Sequence, residues 1–112
     1  MSNYIPEKGD LVFLTFTPQA GHEQQGRRPA LVVSNHTFNK HTGLAIVCPI
    51  THTNRRHPFH VSVPKQATLT GFIMVEQVKS VDYRSRHIQF VEKAPKDVMI
   101  DVLGILDACI YQ

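Results

Sequence analysis

Short apolar segments rich in β-branched and aromatic residues recur along this sequence, and Gly, Pro, Asn or Thr bounds most of them. This pattern is typical of β-strands, because such side chains fit a pleated surface and turn residues interrupt it. The predicted strands are residues 11–16, 28–34, 44–51, 60–63, 71–76, 78–81 and 88–91. Segment 44–51 is almost continuously apolar, which predicts a central strand covered on both faces. Regularly spaced short strands predict an antiparallel barrel or sandwich.

The hydrophobic period changes after Pro95, a residue that suits the first turn of a helix. Apolar residues then recur at spacings of three and four, at Val98, Val102, Ile105, Leu106 and Cys109. This spacing predicts a helix with only a narrow polar stripe. We therefore expect it to be buried against the barrel and partly in a dimer interface. Residues 39–43 predict a shorter helical turn that ends at Gly43.

Length and composition favour one small domain over residues 1–112, since 42% of the 112 residues are hydrophobic and the net charge is only +3. No apolar run approaches the roughly 20 residues of a membrane span, and the N-terminus lacks the order of a signal peptide. These observations exclude the membrane and disulfide-rich secreted classes and predict a cytoplasmic protein. Cys48 and Cys109 lie in apolar segments without a Cys-x-x-Cys spacing, so we expect small buried thiols.

The polar segment 17–27 is long for a connection in so small a protein, and such loops are usually functional or mobile. It contains an imidazole, a carboxylate and an amide in His22, Glu23 and Gln24, and the guanidinium groups of Arg27 and Arg28 follow. RNA cleavage needs groups of these kinds: a base for the 2′-hydroxyl, cations for the phosphate and an acid for the leaving 5′-oxygen. The alternative is a solvated surface loop without chemistry.

A resemblance to a known family narrows the interpretation of this loop. Gly-His-Glu-Gln-Gln-Gly at 21–26, followed by Arg28-Pro29 and Ala-Leu-Val-Val-Ser at 30–34, resembles the signature of the MazF/PemK (Kid-like) toxin endoribonucleases. The similarity extends to Gly-Asp-Leu-Val at 9–12, Pro-Ile-Thr at 49–51 and the segment 71–82. It covers nearly the whole chain in family order.

The resemblance implies a mainly β fold, an SH3-like antiparallel β-barrel of the PemK/CcdB type with a C-terminal helix. It also implies a homodimer that cleaves single-stranded RNA sequence-specifically, without metal or cofactor, to 2′,3′-cyclic phosphate and 5′-hydroxyl ends. The implied protein partner is a MazE-like antitoxin with an acidic, disordered tail, and DNA is approached only through the antitoxin complex. Translation and growth would be inhibited by the free toxin.

Carried over residue by residue, the resemblance assigns catalysis to Arg28, Thr51, Glu23 and His22. Arg28 would stabilise the phosphate and act as the acid, Thr51 would hydrogen-bond the scissile phosphate, and Glu23 or His22 would be the base. Kid-like members carry an arginine and an aspartate where this chain has Met74 and Glu76. Since Met74 can neither hold phosphate nor move a proton, the MazF-type pair Arg28 and Thr51 carries more weight.

Further polar and aromatic residues could follow the RNA backbone or stack on its bases. The predicted RNA-binding residues are Arg27, Gln24, Arg55, Arg56, Glu76, Gln77, Lys79, Tyr83 and Arg84. Scattered charge is more often only a solvated face, and Phe59 and Phe72 border strands and are expected in the core. His52, His57 and His60 could suggest zinc, but no recognised ligand spacing accompanies them, so we expect a basic loop and no metal.

Two other functions are compatible with the same fold. A CcdB-like gyrase poison would act through a C-terminal tryptophan, and this chain has none. A non-catalytic nucleic-acid-binding SH3-like module would keep a basic surface but would not need Glu23, Arg28 and Thr51 together. Mapping RNA ends after incubation with the protein separates these alternatives from a nuclease.

Overall fold

The computed structural model describes residues 3–16, 26–64 and 67–112. The strands are β1 (Asp10–Thr15), β2 (Arg27–Val32), β3 (Leu44–Thr51), β4 (His60–Val63), β5 (Gly71–Met74), β6 (Lys79–Asp82) and β7 (Gln89–Lys93). The helices are α1 (His36–Thr42), a 3-10 helix (Val75–Gln77) and α2 (Lys96–Tyr111). Mainly β structure with a C-terminal helix is thereby confirmed.

The strands form one antiparallel sheet that curls into a half-barrel. Its order is β4-β5-β3-β2-β1-β7, and β6 pairs with the first half of β3. Strand β3 is the centre of this arrangement, because β2, β5 and β6 all pair with it. Most of its residues are buried, which confirms the prediction of a strand covered on both faces.

Alternating residues of the central strands pack into two separate cores, as the two-residue period of a strand requires. One core contains Leu11, Leu31, Cys48 and Ile73 and is closed by Val98 and Val102 of α2. The other core, on the opposite face, contains Val12, Val32, Val47 and Tyr83. Burial raises the pKa of the Cys48 thiol to about 12, so this thiol is unreactive at neutral pH.

Helix α2 departs from its prediction in how much of it is buried. Among its residues Val98 and Val102 are buried, whereas Ile100, Ile110 and Tyr111 are 64%, 71% and 82% exposed. Cys109 is exposed too, so the prediction of a buried thiol is wrong at this position. A single helix can turn only one face to the sheet, and the remaining apolar residues therefore face outward.

Several strands differ from their predicted bounds by one or two residues, and in two places the difference changes the element itself. Predicted strand 71–76 ends at Met74, and the chain turns into the 3-10 helix at Val75. The helical turn before Gly43 is longer than expected: Asn35 caps its start, and Gly43 ends it in the left-handed conformation at φ 73°.

A closed polar cluster joins β1 to the edge strand β7. The buried Asp10 carboxylate forms an ion pair of 2.6 Å with Lys93 Nζ and accepts hydrogen bonds from the Tyr4 hydroxyl and the Glu7 backbone. We call these four residues the Asp10 cluster. With Phe90 it lines a surface cavity of 260 Å³.

Candidate active site

A cavity of 310 Å³ lies at the end of β3 that carries Thr51. Its walls come from three segments of the chain that are distant in sequence, around residue 28, over 51–60 and over 74–77. The lining residues are Arg28, Thr51, Arg55, His57, His60, Met74, Glu76 and Gln77. We refer to it as the Arg28 cavity.

Strand register brings Arg28 and Thr51 together. Strands β2 and β3 are antiparallel and pair Ala30 with Pro49, so the same register continued by two residues places Arg28 opposite Thr51. The neighbouring Arg27 points to the other face and donates a hydrogen bond of 3.3 Å to Gln89 Oε1. One arginine of the consecutive pair therefore lines the cavity, and the other ties β2 to β7.

Thr51 is fixed by a close approach of β5. A Cβ atom on Gly71 would lie 2.6 Å from the Thr51 carbonyl oxygen, and Gly71 has a φ of 131°, so this position requires glycine. The Thr51 hydroxyl accepts a hydrogen bond of 3.2 Å from the Thr53 backbone N–H. Its own hydrogen is thus available to a ligand in the cavity.

An imidazole and a carboxylate meet on the opposite wall. His60 Nε2 lies 3.0 Å from Glu76 Oε2, and the His60 and Glu76 side chains are 4% and 29% exposed. Partial burial alone would raise the pKa of the Glu76 carboxyl. The hydrogen bond from His60, a backbone hydrogen bond and the nearby imidazoles outweigh burial and hold that pKa below its ordinary value of 4.5.

His57, His60 and Glu76 also meet the distance criterion for a metal site, since their potential ligand atoms lie within 4.8 Å of one another. Hydrogen bonding argues for another use. His57 Nδ1 accepts a hydrogen bond from the Phe59 backbone N–H, so the imidazole hydrogen is on Nε2. Neither nitrogen of His57 then has a free lone pair for a metal ion. Arg28 and Arg55 line the same cavity and oppose a further cation. The arrangement fits an anion better than a metal ion.

The predicted site residues separate into groups. Arg28, Thr51, Arg55, Glu76 and Gln77 line the Arg28 cavity. His22, Glu23 and Gln24 lie outside the described residues, which resume at Gly26.

The remaining predicted RNA-binding residues do not line this cavity. Arg56 is exposed on the preceding loop. Lys79 lies over the Phe16 ring at 5.1 Å, and Arg84 follows β6 near the opposite end of β3. They can contribute only to a wider surface.

Tyr83 corrects the prediction of a base-stacking residue. Its side chain is 1% exposed, and its hydroxyl donates a hydrogen bond of 3.0 Å to the Asn39 carbonyl oxygen in the core. A ring in that position cannot stack on a nucleotide. Phe59, expected in the core, is 40% exposed and contacts the His57 ring at a centroid distance of 5.6 Å.

His60 and Met74 were not predicted as parts of the site. Strands β4 and β5 pair them directly, which places His60 beside the start of the 3-10 helix that carries Glu76. Nothing in the spacing of His60 and Glu76 along the chain indicates this contact. Met74 gives the cavity an apolar wall at the position where Kid-like members carry an arginine.

Comparison with known proteins relates the whole chain to one family. Residues 7–110 match the family described as "PemK-like, MazF-like toxin of type II toxin-antitoxin system". The chain is 38% identical over 86 residues to the endoribonuclease toxin MazF of Escherichia coli (strain K12), with 77% of each chain covered.

Two solved structures from Deinococcus radiodurans share the fold. The MazF crystal structure (Form-I) superposes with a TM-score of 0.87 at 43% identity and covers 98% of this chain and 100% of that one. The MazE-MazF structure (Form-III) gives a TM-score of 0.88 at 40% identity and covers 97% and 99%. Within the described part of the chain, no helix has the length and apolar character that a membrane crossing needs.

Proposed function

The chain belongs to the PemK-like, MazF-like toxins of type II toxin-antitoxin systems, and on that premise we propose that it is an endoribonuclease that cleaves single-stranded RNA at specific sequences. The observation that supports this most strongly is the convergence on one cavity of four side chains: Arg28, Arg55, Thr51 and Glu76. Two guanidinium groups, a hydroxyl and a carboxylate are what a phosphodiester needs around it during attack by its own 2′-hydroxyl.

Arg28 and Thr51 bind the scissile phosphate in this proposal. The planar guanidinium donates two parallel hydrogen bonds to phosphate oxygens and keeps its charge at every physiological pH. The Thr51 hydroxyl donates a third, and Arg55 adds positive charge from the same wall. These donors stabilise the charge that develops on phosphorus-bound oxygens in the transition state.

Proton transfer completes the reaction without a metal. A base removes the 2′-hydroxyl proton, the 2′-oxygen attacks phosphorus, and the bond to the 5′-oxygen breaks, leaving 2′,3′-cyclic phosphate and 5′-hydroxyl ends. Arg28 is the acid, because a leaving alkoxide is basic enough to take a proton from a guanidinium. Glu23 or His22 is the base that the family resemblance implies, from a segment outside the described residues.

The relatives also supply the proposed partners. A MazE-like antitoxin with an acidic tail fits the cationic Arg28 cavity, and DNA is reached only within that complex. The apolar side chains of Ile100, Ile110 and Tyr111 on α2 support a homodimer, since they are exposed in the single chain. The proposed site of action is the cytoplasm, where mRNA is available.

Product mapping tests the activity directly. Purified protein is incubated with a long single-stranded RNA in excess chelator, and 5′-hydroxyl ends are sequenced. We expect discrete cuts within one short motif. Arg28→Ala should abolish them and so exclude a contaminating nuclease, whereas Lys40→Ala, at an exposed cation on α1 that does not line the cavity, should cut as the wild type does.

Other outcomes point to the competing functions. RNA that is retarded in a gel but intact indicates a binding module, and trapped gyrase–DNA complexes indicate a gyrase poison. Cleavage that chelator abolishes contradicts the metal-independent mechanism.

A further inference from the structure

We propose that His60 is a positioning residue for this reaction: its Nε2–H group fixes the Glu76 carboxylate at the Arg28 cavity as the acceptor of the 2′-hydroxyl proton. The proposal rests on the proposed endoribonuclease function and changes one part of it: Glu76, held by His60, takes the place of Glu23 or His22 as the base. Both residues lie in the described part of the chain, unlike His22 and Glu23.

The burial of His60 determines which of its nitrogens carries the hydrogen. Among the described residues, its Nδ1 is buried and has no hydrogen-bond partner. A buried N–H without an acceptor costs about 1–3 kcal/mol, so the hydrogen belongs on Nε2, where Glu76 Oε2 accepts it at 3.0 Å. The imidazole is therefore a neutral donor to a carboxylate.

Packing fixes the direction of this donor. The His60 ring stacks on His57 at a centroid distance of 4.7 Å, and β4 holds its backbone opposite Met74. With a side chain only 4% exposed, His60 has little room to rotate. Although His60 lines the Arg28 cavity, its Nε2 is engaged by Glu76 and its Nδ1 is buried, so its effect on the reaction acts through Glu76.

The surroundings of the pair are mixed in charge. The titratable and charged groups on the elements around it are Arg28 from β2, Cys48 from β3, Arg55 and His57 from the loop before β4, and Asp101 from α2. The His60 and His57 imidazoles are the groups that favour an ionised Glu76. Asp101 lines a separate groove that also borders His60, and it does not line the Arg28 cavity.

Bound RNA explains why such a donor is needed. An anionic phosphate in the cavity disfavours a second negative charge nearby and would drive a proton onto Glu76 before reaction. The hydrogen bond from His60 opposes that effect. In the reaction the 2′-O–H bond breaks, its proton goes to Glu76, the 2′-O–P bond forms, and the P–O5′ bond breaks as the 5′-oxygen takes a proton from Arg28; solvent exchange then restores both groups.

Three variants assayed on a short RNA across pH test the role. We expect His60→Leu to lower kcat about tenfold, with KM changed less than about twofold, because orientation and not binding is lost. The acidic limb of kcat, which reports the RNA complex, should move to higher pH and by more than that of kcat/KM. His60→Gln should restore both properties, since its side-chain amide donates from nearly the same point, and His36→Leu on α1 is the matched control.

The nitrogen-15 NMR spectrum of the free protein gives a second readout that needs no activity. The Nε2–H tautomer of His60 is expected, with Glu76 titrating at higher pH in His60→Leu. A wild type that cleaves with a pH profile unchanged by His60→Leu, or a proton found on Nδ1, overturns the positioning role alone. A folded wild type that leaves every RNA intact overturns the proposed function as well.

Discussion

The Asp10 cluster and the His60–Glu76 pair contain similar chemical groups, but the charges and hydrogen-bond donors around them differ. Each contains a carboxylate held by a nitrogen donor, and each lines a cavity, of 260 and 310 Å³. Asp10 is 1% exposed, and its partners are its own chain's lysine, tyrosine and backbone. The cavity beside it carries Glu7 as well and repels phosphate.

The Arg28 cavity has the opposite balance. Two arginines, a free hydroxyl hydrogen on Thr51 and a partly exposed carboxylate face the same space. An acid–base contact in a cavity is thus not enough to indicate catalysis. What distinguishes the Arg28 cavity is its surplus of hydrogen-bond donors, which no acceptor among the described residues uses up.

The largest effect should come from removing one such donor. Thr51→Val keeps the shape of the side chain and deletes its hydroxyl, and we expect cleavage to fall about 10²-fold because a transition-state hydrogen bond is lost. Thr51→Ser keeps the hydroxyl and should remain within a few-fold of wild type. Single-turnover cleavage measures this, and equal rates for Val and Ser would contradict the role of the hydroxyl.

A change at Gly71 should affect stability and activity together, unlike changes confined to the Asp10 cluster or to the Arg28 cavity. Gly71→Ala places a Cβ against the Thr51 carbonyl at a φ that side chains rarely adopt, and we expect a loss of about 2–3 kcal/mol in the free energy of unfolding. Gly43→Ala is the matched control, because its φ is also positive but no atom lies within 4 Å. Its expected cost is only about 1 kcal/mol. Urea unfolding of both variants measures the loss of stability, and single-turnover cleavage per folded molecule measures the loss of activity.

Disrupting the Asp10 cluster should affect stability alone. In Lys93→Met the buried carboxylate loses its cation, and we expect a loss of about 1–2 kcal/mol, a modest value because the Lys93 side chain is 54% exposed and screened. The hydrogen bond to Asp10 raises the pKa of Lys93 above 10.5.

The sign of that shift fixes the pH dependence. The stabilisation by Lys93 is fully present below the ordinary lysine pKa and disappears as pH rises through the higher folded value. The stability difference between wild type and Lys93→Met should therefore be constant near neutral pH and shrink above about pH 10.5. Lys8→Met is the exposed control. Reduced cleavage per folded Lys93→Met molecule would contradict the prediction that the Asp10 cluster affects stability alone.

The smallest effect concerns Tyr83. Tyr83→Phe removes the hydrogen bond to the Asn39 carbonyl while filling the same space, so we expect a loss of about 1 kcal/mol in stability. RNA affinity should not change, because the ring is buried. Fluorescence anisotropy with a labelled RNA measures that affinity, and a clear loss would restore the stacking prediction.

Strand positions were predictable because each apolar segment carries its own signal. Segments 44–51 and 60–63 match β3 and β4 in full, and the helix after Pro95 begins at Lys96. Segment 71–76 failed at its end, where tertiary contacts bend the chain into a 3-10 helix. The exposure of α2 was not predictable, since an apolar sequence does not tell which of its sides meets a partner.

The site was predictable only in part, and for a related reason. Arg28 and Thr51 were identified by resemblance to a family motif, and strand register explains why they meet. The contact of His60 with Glu76 depends on the β4–β5 pairing and on the bend after Met74, neither of which leaves a mark in the local sequence. Tyr83 was misassigned because a polar turn conceals a ring that points inward.

The order in which the Arg28 cavity is built has a consequence during synthesis on the ribosome. Its lining residues run from 28 to 77, and α2 packs against the β4 strand and the 3-10 helix that carry His60 and Glu76. A nascent chain must therefore expose α2 outside the exit tunnel before this wall can settle. The wall that carries His60 and Glu76 can therefore reach its final packing only after the residues of α2 have been added to the chain.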